Sequence, residues 1–127
     1  MRNTTRQWVR KAESDLRVAR NEAAQDNPEK DAVGFHCQQA AEKYLKALLC
    51  ELGLPIPRIH ELHELLVLLL PHHCDLSPLK RILVSLSRYA VEYRYPGRSA
   101  STRDMRAALA HAERVRLQVR TILGLPP

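Results

Sequence analysis

Apolar residues recur at intervals of three and four through most of the chain, which is the period of an amphipathic α-helix. The clearest stretch runs from Asp31 to Gly53. Its apolar positions form one wide helix face: Cys37, Ala41, Tyr44, Leu45, Leu48, Leu49 and Leu52. The opposite face carries Gln39, Lys43 and Lys46. A helix that is half apolar and half polar, and this long, is predicted to be the central helix of the fold.

Local start and stop signals set the bounds of this central helix. Asn27 precedes Pro28 and Glu29, which is the order of an N-cap, a proline at the first helical position and an acid in the first turn. Gly53 supplies the stop signal. The helix is therefore predicted from about Pro28 to Leu52. Within it, Glu42 stands four residues before Lys46, which is the favourable order for an ion pair.

The same period predicts four further helices, three of them long and one short. They run from Thr4 or Thr5 to before Asn27, from His60 to about Leu70, from Ser77-Pro78 to the turn at Tyr93–Gly97, and from Ser101 to Gly124. Glycine is scarce and no stretch shows sustained period-two alternation. We therefore expect an all-α fold, with residues 1–127 forming a single domain built as an up-and-down bundle of four to five helices.

Two places depart from a simple division into apolar and polar faces. Asp15 lies at the edge of the apolar stripe of the first helix, where it either pairs with a basic residue of a neighbouring helix or holds a polar pocket; pairing is favoured because buried acids rarely persist alone. The short helix, HELHELLVLLL, is apolar on more than one side. It is either central to the fold or partly a contact surface for another subunit.

Composition places the chain among soluble globular proteins. Of its 127 residues, 45% are hydrophobic and 27% are charged. The longest uncharged run, Leu65 to Cys74, is too short to span a bilayer, and the polar N-terminus has no apolar signal segment, so no membrane association and a cytoplasmic location are expected. Three scattered cysteines argue against a disulfide framework.

The net charge of +6 is concentrated in the last third of the chain. From Arg88 to Pro127, eight arginines face three acids, a net charge of +5, whereas the first 87 residues carry only +1. An acidic or phosphate-bearing partner would require such a distribution. Arginine-rich helix faces that simply keep a small protein soluble are the alternative, and charge alone does not decide between them.

The strongest candidate surface is the turn YRYPG and its flanks. It gathers two residue types within eleven positions: Arg88, Tyr93, Arg94, Tyr95 and Arg98. Guanidinium groups make two-pronged contacts with phosphate and tyrosine rings offer bases a face to stack on, so this mixture favours nucleotide or single-stranded RNA binding. Alternatively, the tyrosines fill the core and the arginines point to water.

Other constellations predict no metal, cofactor or phosphoryl-transfer chemistry. The chain offers ligand types at His60, His63 and the run His72–Asp75, but no recognised paired spacing, and adjacent His72 and His73 cannot easily aim at one ion. There is no glycine-rich phosphate loop and no nucleophile elbow. We therefore expect neither a metal site nor a cofactor.

Three pieces of the sequence resemble the HEPN family (higher eukaryotes and prokaryotes nucleotide-binding). They are FHCQQAAEKYLKALL, then PRIHEL, then YRYPG, in that order, and the resemblance covers nearly the whole chain. It implies a helical bundle similar to the substrate-binding subunits of nucleotidyltransferases. It also implies that His60, in PRIHEL, is a structural element at the start of its helix.

The resemblance further implies a function and partners. Small members of the family pair with a separate minimal nucleotidyltransferase, often as a toxin and antitoxin. We therefore expect a homodimer or higher homo-oligomer that binds nucleotide or RNA phosphate through Arg88, Arg94, Arg98 and the face of Lys43 and Lys46, and that docks such a partner. A structural dimer without a ligand is a further alternative.

A metal-independent RNase is the enzymatic alternative. Family members that cut RNA carry an arginine followed four to six residues later by a histidine near the start of the last helix. Arg94 lies in that neighbourhood, but Ser99 and Ala100 occupy the positions five and six beyond it. Arg106 and His111 satisfy the spacing, yet in a continuous helix five residues turn two side chains about 140° apart. The chain therefore looks more like the non-catalytic members.

Overall fold

The computed structural model describes residues 1–127 as a bundle of five α-helices with no strand. The helices are α1 (Asn3–Ala23), α2 (Lys30–Glu51), α3 (Leu62–Leu69), α4 (Lys80–Val91) and α5 (Thr102–Leu123). Short 3₁₀ helices at Cys74–Leu79 and Glu92–Arg94 precede and follow α4. The prediction of an all-α bundle with four long helices and one short one is confirmed. No helix combines the length and the apolar character needed to cross a membrane.

Helix α2 is the centre of the bundle, as its pattern predicted. It packs against each of α1, α3, α4 and α5. Fourteen of its 22 residues are buried, among them the fully buried Tyr44, Leu45 and Leu49. These residues belong to a single hydrophobic cluster of 29 buried side chains that draws on all five helices. One helix therefore organises one continuous core.

The predicted start of α2 is wrong by two residues. The helix begins at Lys30, its N-cap is Glu29, and no side chain accepts a capping hydrogen bond there. Asn27 lies in the preceding bend and Pro28 outside the helix. In place of a side-chain cap, the backbone N–H of Glu29 donates to the carboxylate of Glu22 in α1, at 3.0 Å. The chain between α1 and α2 is therefore held by a contact between helices, which local capping signals do not encode.

The start of α4 also differs from the prediction, whereas that of α5 agrees with it. Ser77 and Pro78 lie inside the 3₁₀ helix, and α4 begins at Lys80 without a side-chain cap. At α5, Ser101 accepts from the backbone of Asp104, and Asp104 accepts from the backbone of Ser101, so the predicted capping box is confirmed. The helix ends at a left-handed glycine, Gly124.

The polar face predicted for α2 is partly buried. Lys46 is only 5% exposed and Glu42 only 4%, and their ion pair, at 3.2 Å, lies beneath the ring of Trp8 from α1. His60, from the segment before α3, contacts the same carboxylate at 3.1 Å. The predicted pair therefore forms, but between α1 and the α2–α3 connection rather than on an open surface. This contact gives His60 a structural role at the entrance to its helix.

Two further carboxylates join α1 to its neighbours. Asp15 contacts both His36, at 2.9 Å, and Lys43 on α2, so its structural pairing with a neighbouring helix is observed. Glu13 accepts three hydrogen bonds from Nε and Nη2 of Arg116 and one from Nη1 of Arg120 on α5. Burial raises the pKa of Glu13, but the hydrogen bonds and charges of these arginines outweigh burial, and the pKa lies below its ordinary value.

Helix α3 is covered on one side only. Four of its five leucines, at positions 62, 65, 66 and 69, are buried in the core, whereas Val67 and Leu68 are exposed. The apolar residues of this short helix therefore lie partly in the core and partly on the surface. The two exposed side chains leave an apolar patch next to a shallow hollow lined by Leu54, Ile59 and Leu68, among others.

A close contact between α2 and α4 fixes the end of α4. Gly34 faces the ring of Tyr89, and a Cβ atom at Gly34 would lie only 2.0 Å from Cδ1 and Cε1 of that ring. Tyr89 is 4% exposed and stacks on Tyr93, with 4.6 Å between the ring centroids. The missing side chain at Gly34 thus lets α4 approach α2 where the YRYPG turn begins.

Candidate nucleic-acid interface

The turn between α4 and α5 is anchored at both ends. Helix α4 gives way to the 3₁₀ helix at Glu92, and Pro96 and Gly97, whose φ is +94°, carry the chain round to α5. At the far end, the backbone N–H of Ala100 donates to the carboxylate of Asp31 in the first turn of α2, at 2.7 Å. The exposed basic segment between these points is therefore held against the N-terminal end of α2.

Glu92 organises two of the predicted arginines. Arg88 Nε donates to Glu92 Oε2 at 3.0 Å, and Arg98 Nη1 lies 3.6 Å from the same oxygen. The guanidinium of Arg88 also lies over the ring of Tyr93, at 5.4 Å from the centroid. All three charged side chains are substantially exposed, so these ion pairs contribute little to stability. Two guanidiniums share one carboxylate, and the group keeps a positive charge.

Arg94 is differently placed. It takes part in none of the nine ion pairs of the protein. Its guanidinium lies over the ring of Phe35 on α2, at 5.8 Å from the centroid. Next to it, Tyr95 is 66% exposed, whereas Tyr93 is half-buried. The structure thus divides the predicted tyrosines: one packs on Tyr89 and the other faces water with a free ring.

Lys43 and Lys46 do not join this turn. Phe35, which contacts Arg94, lies eight residues before Lys43 and eleven before Lys46, or about 12 and 16 Å along the helix axis. Lys46 is buried against Glu42 and Trp8, so it cannot contact a ligand at the surface. Lys43 is partly exposed and pairs with Asp15. The two lysines therefore do not form one open face.

Arg106 and His111 both lie on α5 but in different surroundings. Arg106 is exposed, whereas His111 is half-buried, and no hydrogen bond joins them. Burial, with a smaller contribution from the charge of Arg114, lowers the pKa of His111 below its ordinary value. Their separation by five helical residues directs the side chains about 140° apart. This geometry gives the pair no common reacting centre.

The basic C-terminal third does not form a single surface. Arg116 and Arg120 are engaged by Glu13, and Arg20 on α1 binds Glu113. In contrast, the arginines at positions 94, 103, 106 and 114 are exposed and form no ion pair. Apart from Arg114, which lies farther along α5, the positive charge of this third that remains available lies around the α4–α5 turn and the start of α5.

Several residues next to the candidate site were not found from the sequence. Phe35 and His36 pack edge to face with 5.8 Å between their centroids, and Asp31 and Glu92 hold the turn and its arginines. Phe35 lies off the apolar stripe of α2 and is only partly buried. An aromatic ring outside the buried stripe of a helix was the one available signal. The remaining contacts join segments that are far apart in sequence.

The remaining metal-ligand types and cysteines are distributed over the fold. No group of three or more histidine, cysteine, aspartate or glutamate side chains is placed to hold a metal ion. All three cysteines are free, and burial raises the pKa of the Cys37 thiol to about 12, which keeps it protonated and unreactive near neutral pH.

Four helices around one buried central helix, with a basic and aromatic turn before the last helix, define a small all-α protein of the helical-bundle class. The HEPN domain model matches residues 5–122, and the chain belongs to the HEPN family. The predicted family is thereby confirmed. The sequence has no significant match among curated proteins.

Two solved structures are similar to this fold. TT1696 from Thermus thermophilus superimposes with a TM-score of 0.82 at 25% sequence identity, covering 94% of this chain and 98% of that one. ST0689, an archaeal HEPN homologue, gives a TM-score of 0.75, also at 25% identity, covering 95% of this chain and 98% of its own. The bundle therefore resembles these structures along almost its entire length.

Proposed function

We propose that this HEPN protein binds nucleotide or single-stranded RNA phosphate through the α4–α5 turn. The observation that supports this most strongly is the position of Arg94, an exposed guanidinium without a carboxylate partner, seated on the ring of Phe35 and next to the free ring of Tyr95. Arg98 and Arg88 flank it. Arginine pairs with phosphate through parallel N–H donors, and an exposed aromatic ring stacks on any base, so the group suits sequence-tolerant binding.

The test compares two double variants that remove the same charge. Arg94→Ala with Arg98→Ala is expected to weaken binding of nucleotide and single-stranded RNA at low salt and to flatten the dependence of affinity on salt, because phosphate contacts release counterions. Arg17→Ala with Arg81→Ala, at exposed positions on α1 and α4 outside the turn, should leave both properties near wild type. Equal affinities for the two variants would contradict the proposal.

We further propose that the binding module works with a separate minimal nucleotidyltransferase, as in toxin and antitoxin pairs. The chain has no phosphate-binding glycine loop of its own, so phosphoryl-transfer chemistry would come from the partner. Homodimerisation is part of the same proposal. Co-purification of the chain with a small nucleotidyltransferase encoded beside it, and the mass of the complex in solution, test both; a monomer that retains no such protein would contradict them.

We expect binding without cleavage. The only R-x4-H pair near the start of the last helix, Arg106 and His111, directs its side chains about 140° apart. RNA incubated with the protein and no divalent metal should therefore remain intact. Cleavage that is lost in His111→Ala, while the helical content is unchanged, would establish the RNase alternative instead.

A further inference from the structure

A second partly exposed aromatic residue lies on the same side of α2 as Phe35, farther along the helix. Trp8 of α1 lines an open hollow of about 500 Å³ together with Thr4, Gln7, Lys11 and Lys43. One face of the Trp8 ring lies near the buried ammonium of Lys46, at 5.8 Å from the centroid, which holds the ring in place. The hollow and the ring together offer a stacking surface between Lys11 and Lys43.

An unbroken series of contacts connects the α4–α5 turn to this hollow. Arg94 lies over Phe35, and Phe35 packs against His36. His36 contacts Asp15, and Asp15 contacts Lys43, which lines the hollow beside Trp8. Aromatic and charged side chains, with Asp15 as the one acid among them, therefore connect the turn to the hollow. We name the series from Arg94 to Trp8 the α2 track.

The charge of the α2 track suits a polyanion. The track carries the positive charges of Arg94 and Lys43, Lys11 adds one at the hollow, and Asp15 is the one carboxylate, so the formal net charge is +2. Asp15 is shielded because both Lys43 and His36 contact it, and its side chain is only 13% exposed. A phosphate chain that follows the track would therefore meet guanidinium and ammonium groups rather than a free carboxylate.

The length of the α2 track determines which ligand it fits. Phe35 and Lys43 lie eight residues apart on α2, about 12 Å along the axis, and the Trp8 hollow extends the path beyond Lys43. One nucleotide cannot stack on Phe35 or Tyr95 and also reach Trp8. Non-specific single-strand binders stack successive bases on aromatic side chains along a positively charged path. Here Phe35 and Tyr95 lie at one end of the α2 track and Trp8 lies at the other.

We infer that the ligand of this protein is a single-stranded oligonucleotide of several nucleotides, bound from the α4–α5 turn along α2, with a base stacked on Trp8 at the far end. This inference rests on the proposed function, because the turn is where the strand would start. It adds the class of ligand, an oligonucleotide rather than a mononucleotide, and a second contact region formed by Trp8 and Lys11.

Tryptophan fluorescence tests the inference directly, because Trp8 is the only tryptophan of the chain. The full chain is titrated at low salt with uridine monophosphate and with oligouridylates of increasing length, and emission and affinity are recorded together. Short ligands should bind without changing the emission. Oligonucleotides long enough to reach the hollow should quench the emission. They should also bind roughly 5- to 150-fold more tightly, which is what one added stacking contact supplies.

Variants separate this inference from the proposed function. Lys11→Ala, at an exposed position, and Trp8→Leu should reduce the gain in affinity with length and leave binding of the monophosphate unchanged. Arg17→Ala removes one exposed charge from the same helix and serves as the matched control. Arg94→Ala with Arg98→Ala should weaken binding of every ligand.

Two results would overturn the inference, and they have different consequences for the proposed function. Constant emission and equal affinity for all lengths, with binding still dependent on Arg94 and Arg98, would refute the α2 track and leave the proposed function in place. Quenching that persists unchanged in the Arg94 and Arg98 variant would refute the proposed function, and with it a strand that runs from the turn to Trp8.

Discussion

Replacement of Gly34 by alanine sets helix propensity against packing. The new Cβ atom would lie 2.0 Å from two carbons of the Tyr89 ring, whereas ordinary contact begins at 3.4 Å, so the ring must move by about 1.4 Å. Tyr89 is buried and stacked on Tyr93, so the ring cannot move without disturbing its neighbours. Either the two rings separate or α4 moves away from α2.

The expected magnitude follows from three opposing terms. Alanine is favoured over glycine inside a helix by about 1 kcal/mol. Overpacking a filled core costs about 1–3 kcal/mol, and loss of an aromatic pair costs about 0.5–1.5 kcal/mol more. The cost of overpacking therefore exceeds the gain in helix propensity, and the free energy of unfolding should fall by about 2 kcal/mol. For a domain of this size the melting temperature should fall by about 8 °C.

Urea unfolding followed by far-UV circular dichroism measures this difference. Ala32→Gly, an exposed substitution in the same turn of α2, isolates the propensity term and should cost no more than about 1 kcal/mol. In a Tyr89→Leu background the ring is absent, so Gly34→Ala should lose most of its penalty. A rise in stability on Gly34→Ala alone would show that the contact between Gly34 and Tyr89 does not limit the approach of α4 to α2.

Three further predictions address stability. Glu42→Leu leaves the buried Lys46 charge without a partner and should lower the free energy of unfolding by about 3–5 kcal/mol, with recovery on adding Lys46→Met; a loss below about 1 kcal/mol would contradict the buried pair. Burial lowers the pKa of His111, so the unfolded chain binds more protons and this contribution to stability is lost as pH falls below about 6.5. His111→Gln should therefore reduce the stability lost between neutral and mildly acidic pH, and an unchanged loss would exclude this role. Ser101→Ala removes half of the capping box and should cost about 1 kcal/mol in denaturant unfolding, whereas Ser99→Ala, in the exposed turn, should cost almost nothing.

The helices were predictable wherever a local pattern determines them. The capping box at Ser101 and the left-handed Gly124 set the ends of α5, and both signals lie within a few residues of the helix end they determine. The starts of α2 and α4 were not predictable in this way. Asn27-Pro28 and Ser77-Pro78 have the sequence of a cap, but the first lies in a bend held by Glu22 and the second in a 3₁₀ helix.

The candidate site was predictable only in part, because its location depends on contacts between distant segments. The pattern located the arginines and tyrosines of the α4–α5 turn, but not the seating of Arg94 on Phe35, 59 positions earlier in the chain. The same pattern predicted that Lys46 lies on an open polar face, whereas Lys46 is buried. The helical period identifies a side of α2, but whether that side meets water depends on Trp8 and His60, which cover it from other parts of the chain.

The continuity of α2 determines how long a ligand must be to span the α2 track. Phe35 and Lys43 are fixed to the same uninterrupted rod of hydrogen-bonded backbone, so the interval between them is set by helix geometry and not by a flexible connection. Insertion of one residue between them would rotate Lys43 by about 100° away from Asp15 as well as shifting it. The number of nucleotides needed to span the track would therefore be fixed by α2, and sequence changes in the surface loops would not alter it.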